Sequence, residues 1–278
     1  MSSHFVVAGQ WQGSGSSRAM RLIEGAEAIR HELPGAATTT IEVPLEAGDA
    51  EGTGILRYSS IRLVRERLQR RLAELDGATV IIGGDCGVAY AGVEHAARAG
   101  RVVLLWADAH GDLNTPASSP SGAFGGMVLR SIIDAGIVAP ADVILVGVRD
   151  LDDAEAEFIA AEGLRRVVAS DVSSVVAERA AAARDDHAEP VLYAHVDLDV
   201  LDPAVFSGVG FAVPFGLELA ELTGAIAAAR DVLPLVGAGV AGFAPTEPVL
   251  DSAVDNNSVS STSDDVSVIL RILATLKG

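Results

Sequence analysis

Two short acidic runs carry the first chemical signal in this chain. Asp108-Ala109-His110-Gly111-Asp112 follows the apolar run Val102 to Ala107, and His195-Val196-Asp197-Leu198-Asp199 follows Val191 to Ala194. In each run the ionisable residues recur at every second position, so an extended backbone would turn all three to one side. Carboxylates gathered in one crevice repel and raise one another's pKa values. A divalent cation removes that repulsion and lets them ionise together. An oxygen-rich set with one imidazole suits Mn²⁺ better than a thiolate-rich zinc site does. Either run alone could be a solvated turn, or an Asx-turn capping a helix. Both at equivalent strand ends are not expected by accident.

These runs need strands to carry them, and the hydropathy pattern supplies the strands. Short apolar stretches at 4–8, 39–43, 78–82, 102–107, 143–148, 166–169, 191–197 and 235–240 alternate with helical patterns. Helical spacing of apolar residues marks 17–31 (Ala19, Leu22, Ala26, Ile29) and 61–75 (Ile61, Val64, Leu68, Leu72, Leu75), with further helices expected at 217–230 and 255–276. Strands alternating with helices imply parallel βαβ units covered on both faces. In such sheets ligands bind beyond the carboxyl ends of the strands. A third strand also ends in polar chemistry there, as Ile81-Ile82 runs into Gly83-Gly84-Asp85-Cys86.

Composition sets the outer limits. The 278 residues are 49% hydrophobic and 21% charged, a globular balance, and no Pro-, Gly- or Ser-rich linker divides them. One α/β domain over 1–278, with a mostly parallel sheet of about eight strands, is expected. Lys+Arg number 20 against 38 Asp+Glu, a net charge of −18, which excludes the basic stripe a nucleic-acid binder needs. Cys86 is the single cysteine, so an intrachain disulfide is excluded. The N-terminus lacks the basic and long apolar regions of a secretory signal, and no apolar run approaches the ~20 residues of a membrane span. A cytoplasmic protein with no membrane partner is expected.

The runs also resemble a known family. Asp108-Ala-His110-Gly-Asp112 is similar to the D-A-H-x-D signature of the ureohydrolases (arginase, agmatinase, formimidoylglutamase), and Asp197-Leu-Asp199-Val-Leu-Asp202-Pro203 to their D-x-D-x-x-D-P signature. Gly83-Gly84-Asp85-Cys86 resembles the G-G-D-H that supplies their first metal ligand. The resemblance implies a three-layer α/β/α fold of the arginase/deacetylase kind and two Mn²⁺ ions per chain. It places Asp108, Asp112, Asp197 and Cys86 around one ion, and Asp108, His110, Asp197 and Asp199 around the other, with Asp108 and Asp197 bridging. A hydroxide between the ions would attack the guanidinium-type carbon, and Asp112 would hold it and carry a proton to the leaving amine. Asn114 and Ser121 resemble the loop that binds an α-carboxylate. Asp152, in Arg149-Asp150-Leu-Asp152-Asp153-Ala-Glu155, resembles the contact to an α-amino group. Asp152 reads equally well as a helix N-cap.

Three positions depart from the family pattern. Cys86 stands where the histidine ligand is expected; a thiolate can ligate but favours softer ions, and a small buried residue opening a helix is the other reading. His195 shares the strand face of Asp197 and could compensate, back up the ligands, or simply fill the core. Gly125 falls where arginases carry a loop histidine. The E-x-x-P glutamate that faces the guanidinium is absent, lining up with Gly242 or Pro245, while Glu247 lies close by as a substitute or a solvated loop residue.

What remains is a metal platform and an amino-acid pocket with an altered guanidinium half. Cys at the first-ligand position also resembles a branch that hydrolyses N-hydroxyarginine to hydroxyurea in cycloserine-type antibiotic biosynthesis. The expected function is therefore hydrolysis of N-hydroxyarginine, or arginine, to hydroxyurea, or urea, and ornithine. Asp112, His195 and Glu247 are the candidate catalytic residues, Asn114, Ser121 and Asp152 the substrate contacts, and the partner is a small guanidino compound. The second ion is expected to bind more weakly, and the chain to form a homo-oligomer as the family does. The alternatives are a catalytically degenerate arginase-like paralogue, or an agmatinase- or formimidoylglutamase-type hydrolase with a different substrate.

Overall fold

The computed structural model describes residues 4–246 and 259–277. Eight strands form one sheet: β1 (His4–Ala8), β2 (Thr38–Thr40), β3 (Thr79–Gly83), β4 (Arg101–Ala107), β5 (Val143–Val146), β6 (Arg165–Val167), β7 (Pro190–Asp197) and β8 (Leu235–Ala241). Their order is β2-β1-β3-β8-β7-β4-β5-β6, and every paired strand runs parallel. The expected eight-stranded sheet is therefore present. The chain winds outward from β1 on one side and from β4 on the other, then fills the middle with β7 and β8. All the carboxyl ends share one edge, and the reversal of winding direction opens a crevice there.

Alternation along each strand divides the core into two layers. Phe5, Val7, Val80, Ile82, Val103, Leu105, Leu192 and Ala194 face one side, packed under α1 (Arg21–His31), α6 (Val172–Asp185), α7 (Leu219–Val232) and α8 (Val259–Leu276). Val6, Ala8, Ile81, Val102, Leu104, Trp106, Val191 and Tyr193 face the other. That side is covered by α2 (Tyr58–Leu72), α3 (Ala89–Ala96) and α4 (Val128–Asp134), with α5 (Asp153–Glu162) beside them. Helices lie on both faces of the sheet, giving three layers. Among the described residues no helix is long and apolar enough to cross a membrane.

Element boundaries depart from the sequence pattern where local chemistry intervenes. The strand expected at 39–43 ends at Thr40, with one further bond from Ile41 N–H to Val7 O before Pro44, which has no N–H to offer. Helix α1 starts at Arg21 rather than 17, because Arg18 N–H is taken by Ser16 Oγ and the next bonds are i→i−3 turns. Helix α2 starts earlier, at Tyr58, and of its last expected residues Ala73 still bonds Gln69 O while Glu74 and Leu75 close in i→i−3 turns. Residues 255–258 of the helix expected at 255–276 lie outside the described residues.

Candidate metal centre

Registry between the two central strands builds the site. Trp106 pairs with His195 and Ala107 with Val196, so the next step sets Asp108 beside Asp197 at the end of the ladder. Both lie on the face of Trp106 and His195, because side chains alternate. Beyond that step the strands stop, and the expected one-sided alternation of all six residues does not hold. Asp199 arrives through a 3-10 turn, Leu198–Val200, whose Asp199 N–H donates to Asp197 Oδ1 at 2.9 Å. His110 arrives through a turn closed by its own N–H on Asp108 Oδ1 at 2.7 Å. Asp112 is held at φ +54°, a left-handed conformation uncommon outside glycine.

The turns nevertheless bring the residues together. His110 Nδ1 lies 3.1 Å from Asp199 Oδ2 and 3.5 Å from Asp108 Oδ1. Asp199 Oδ1 accepts from Ala109 N–H at 3.1 Å. Cys86 opens the turn after β3, and its Sγ donates to Asp197 Oδ2 at 2.8 Å and lies 4.0 Å from Asp108 Oδ2. Asp85, just before it, accepts from Gln10 Nε2, Gly13 N–H and Gly87 N–H and so fixes that turn. Donor atoms of Asp108, His110 and Asp199 come within 4.8 Å of one another, as do those of Cys86, Asp108 and His195. His195 itself is fully buried and is not among the residues that line the open cleft.

A cleft of about 430 Å³ opens over these groups, and Asn114, Ser121, Asp152, Gly125 and Gly242 line it. Asn114 Nδ2 donates to Asp152 Oδ2 at 2.7 Å. Asp152 Oδ1 accepts from Glu155 N–H at 3.0 Å, and the Glu155 side chain returns to Asp152 N–H. That capping box starts α5, so one carboxylate serves as helix cap and cleft wall at once. Ser121 Oγ accepts from Ala123 N–H at 3.2 Å. Gly242 has φ +92°, and a Cβ there would stand 2.3 Å from Asp197 Oδ1, so this backbone leaves a side chain no room beside the aspartate. Glu247 lies outside the described residues.

Several contributors escaped the sequence reading. Trp106 stacks on His195 with ring centroids 3.9 Å apart. Arg149 donates to the carbonyls of Gly147, Asp199 and Val213, pinning the backbone behind the acidic turn. Glu155 accepts from Leu113 N–H at 3.0 Å and steadies the Asp112 loop. Phe211 meets His110 edge-on at the cleft mouth. Only Glu155 had a local signal, the D-x-x-E capping spacing.

Electrostatics show what the arrangement suits. Burial, then the charge of Asp199, pushes Asp197 up to about 7. Burial, then Asp108, pushes Asp199 up to about 6. Asp112 rises well above the carboxylate range, through burial and then Asp108. Burial, and next the charge of Asp197, also pushes the Cys86 thiol well up. Burial alone would lower His110, but the carboxylates of Asp108 and Asp199 outweigh it and hold the imidazole at about 12. Among the described residues, Asp112 Oδ2 and both ring nitrogens of His195 are buried without a hydrogen-bond partner. Mutually repelling carboxylates, orphaned donor atoms and a flanking imidazole fit divalent cations.

A pH dependence follows. Asp197 and Asp199 titrate above the ~3.9 of an unfolded aspartate, so the native protein binds more protons than the unfolded chain in that interval. Stability of the metal-free protein should therefore fall as pH rises towards about 7; His195, which burial holds at about 3, offsets part of that fall up to about 6.5, and above it the raised His110 continues the fall. Thermal unfolding after chelation should give a lower Tm at about pH 7.5 than at about pH 5.5, with Mn²⁺ raising Tm more at the higher pH. An increase of metal-free Tm across that range would contradict the crowded-carboxylate description.

Comparison with known proteins agrees with this geometry. A model of the arginase family matches residues 7–258. The N(omega)-hydroxy-L-arginine amidinohydrolase of Streptomyces lavendulae is 30% identical over 222 residues, covering 76% of this chain and 79% of that protein. An arginase of Staphylococcus aureus (strain MRSA252) is 28% identical over 197 residues, 64% of this chain, and the match spans just under two thirds (65%) of that relative's length. In fold, the chain is similar to the crystal structure of Entamoeba histolytica arginase in complex with L-ornithine, with a TM-score of 0.79 at 20% identity, covering 99% of this chain and 97% of that one. The matched segment contains both aspartate runs and all the strands that carry them, and the chain belongs to the arginase family of hydrolases.

Proposed function

We propose that this chain, acting as one domain over 1–278, hydrolyses a guanidino amino acid, N-hydroxyarginine or arginine, to hydroxyurea or urea and ornithine. The observation that carries the reading is the placing of Asp108 and Asp197 one step past the last ladder pair, Ala107 with Val196, with His110, Asp112, Asp199 and Cys86 lining the same cleft. These residues would hold two divalent ions, Mn²⁺ by the hardness of most of the donors. Bound there, the ions supply a water activated at neutral pH and an electrophilic pull on the amidine.

The chain's own groups then do the rest. Asp112, with its free buried Oδ2, holds the attacking water and passes its proton to the leaving amine. Asn114, Ser121 and Asp152 line the part of the cleft suited to an amino acid's carboxylate and ammonium. The other half offers Gly125 and Gly242 and no carboxylate at either position. A hydroxylated guanidine is less basic and loses less there than arginine would, which favours N-hydroxyarginine and a place in antibiotic biosynthesis. A single free thiol beside the site suits the reducing cytoplasm. The homo-oligomer stays part of the reading.

A product assay tests it. Metal-loaded protein is expected to release hydroxyurea from N-hydroxyarginine faster than urea from arginine, with neither agmatine nor formimidoylglutamate cleaved at a comparable rate. Cleavage of one of those two instead would transfer the chain to another substrate. No product from any of the four, with metal bound, would make it a degenerate paralogue.

A further inference from the structure

Two imidazoles flank Asp108, and they do not serve the same position. His110 stands with Asp199 on the open side of the aspartate. His195 does not line the cleft but reaches Asp108 beside Cys86, where a ring nitrogen, the Cys86 sulfur and an Asp108 oxygen lie within 4.8 Å of one another. All three residues are buried, at 0%, 7% and 1% exposure for His195, Cys86 and Asp108. Donors held 2.0–2.3 Å from a common tetrahedral ion stand about 3.3–3.8 Å apart, so this group closes on one with shifts of no more than about 1 Å.

His195 is the unexpected member. Neither ring nitrogen has a hydrogen-bond partner among the described residues. A buried polar group left unsatisfied is costly, and a bound ion would satisfy it. The ring is also held still: Trp106, its register partner on β4, stacks on it at 3.9 Å and 27° between planes. A rigid, unsatisfied imidazole beside a thiol and a carboxylate is a ligand set in want of an ion.

Building on the metal reading proposed above, we propose that Cys86, His195 and Asp108 form a soft cation site that takes an ion of the Zn²⁺ class. Asp108 is shared with the oxygen-rich Mn²⁺ site of His110 and Asp199. The centre is then mixed, because sulfur and imidazole donors favour Zn²⁺ or Co²⁺ where carboxylates favour Mn²⁺. Binding releases the Cys86 thiol proton to solvent, and no electron changes hands.

The test uses Co²⁺ as a coloured substitute for Zn²⁺, added to the full-length protein after chelation under thiol-protecting conditions. Wild type is expected to show a thiolate-to-Co²⁺ charge-transfer band that Zn²⁺ abolishes and Mn²⁺ does not. Cys86→Ser should lose the band. His195→Gln should keep the fold by circular dichroism, shift the visible Co²⁺ spectrum and weaken Co²⁺ binding about 10–100-fold, while Mn²⁺ binding read by electron paramagnetic resonance stays unchanged. Should His195→Gln not fold, X-ray absorption of the Zn²⁺-loaded wild type decides, with sulfur and imidazole scattering together supporting the site and their absence overturning it. An unchanged spectrum and affinity in His195→Gln would make His195 a core residue and overturn the proposal. Protein that takes Mn²⁺ but gives no thiolate band with Co²⁺ overturns this site and leaves the manganese reading standing. Protein that gives the band but takes no Mn²⁺ supports this site and defeats that reading.

Discussion

Asp108→Ala and Asp197→Ala are each expected to abolish divalent-metal binding in a calorimetric titration with Mn²⁺. Asp108 approaches His110 through Oδ1 and Cys86 through Oδ2, and Asp197 accepts from Asp199 N–H through Oδ1 and from Cys86 through Oδ2. Each aspartate thus faces both halves of the centre, and on the two-ion proposal its removal would take a ligand from both ions at once. Changing only a supporting partner of a metal ligand costs about 10–100-fold in affinity, and losing a shared ligand should cost more than that. Asp197→Ala also frees Cys86 and Asp199 from the contacts that aim them, so its loss should be the larger. The same variants should lose the metal-dependent rise in Tm, because binding free energy is folding free energy when the site exists only in the folded state. Wild-type Mn²⁺ affinity in either variant would end the two-ion assignment.

Cys86→His is expected to raise the weaker Mn²⁺ affinity about 10–100-fold, leaving the tighter one near its wild-type value. The sulfur sits on one side of the centre only, 2.8 Å from Asp197, while the side of His110 and Asp199 has imidazole and carboxylate alone. Mn²⁺ is hard and gains little from sulfur, so wild type should hold one tight and one weak Mn²⁺. An imidazole at 86 offers a neutral nitrogen without the cost of deprotonating a thiol that burial has pushed well up. Titration of both proteins under identical thiol-protecting conditions reads the difference. Two equal, tight sites in the wild type, unchanged in the variant, would show that Cys86 takes no part in coordination.

The local sequence was enough to place eight strands, because a parallel sheet covered on both faces buries nearly every side chain of its central strands, which then read as short continuous apolar runs. It was also enough to single out the chemistry. Aspartates at strand ends are legible wherever a parallel sheet is, since its carboxyl edge is where ligands bind. What it misjudged was the aim of those residues. Period two was extended past Ala107 and Asp197, where the ladder ends and turns take over, so His110, Asp112 and Asp199 reach the site by hydrogen-bonded turns. The D-x-x-E spacing signalled a cap at Asp152, but only the fold showed the same carboxylate bonded to Asn114 across the cleft.

Contacts between segments far apart in the chain belonged to the tertiary structure alone. The register that sets Trp106 on His195 joins two strands about 90 residues apart, and shifting it by one would turn both rings to the opposite face. Gly242 is read as a missing glutamate in the sequence, yet in the fold it is the space beside Asp197. In the sequence Arg149 only opens the stretch that holds Asp152; in the fold its guanidinium bonds the carbonyls of Asp199 and Val213. Composition and periodicity report what one stretch of backbone does with its own side chains. Which donors share an ion is decided by strand order and register, and those are settled only when the whole sheet closes around its two buried layers.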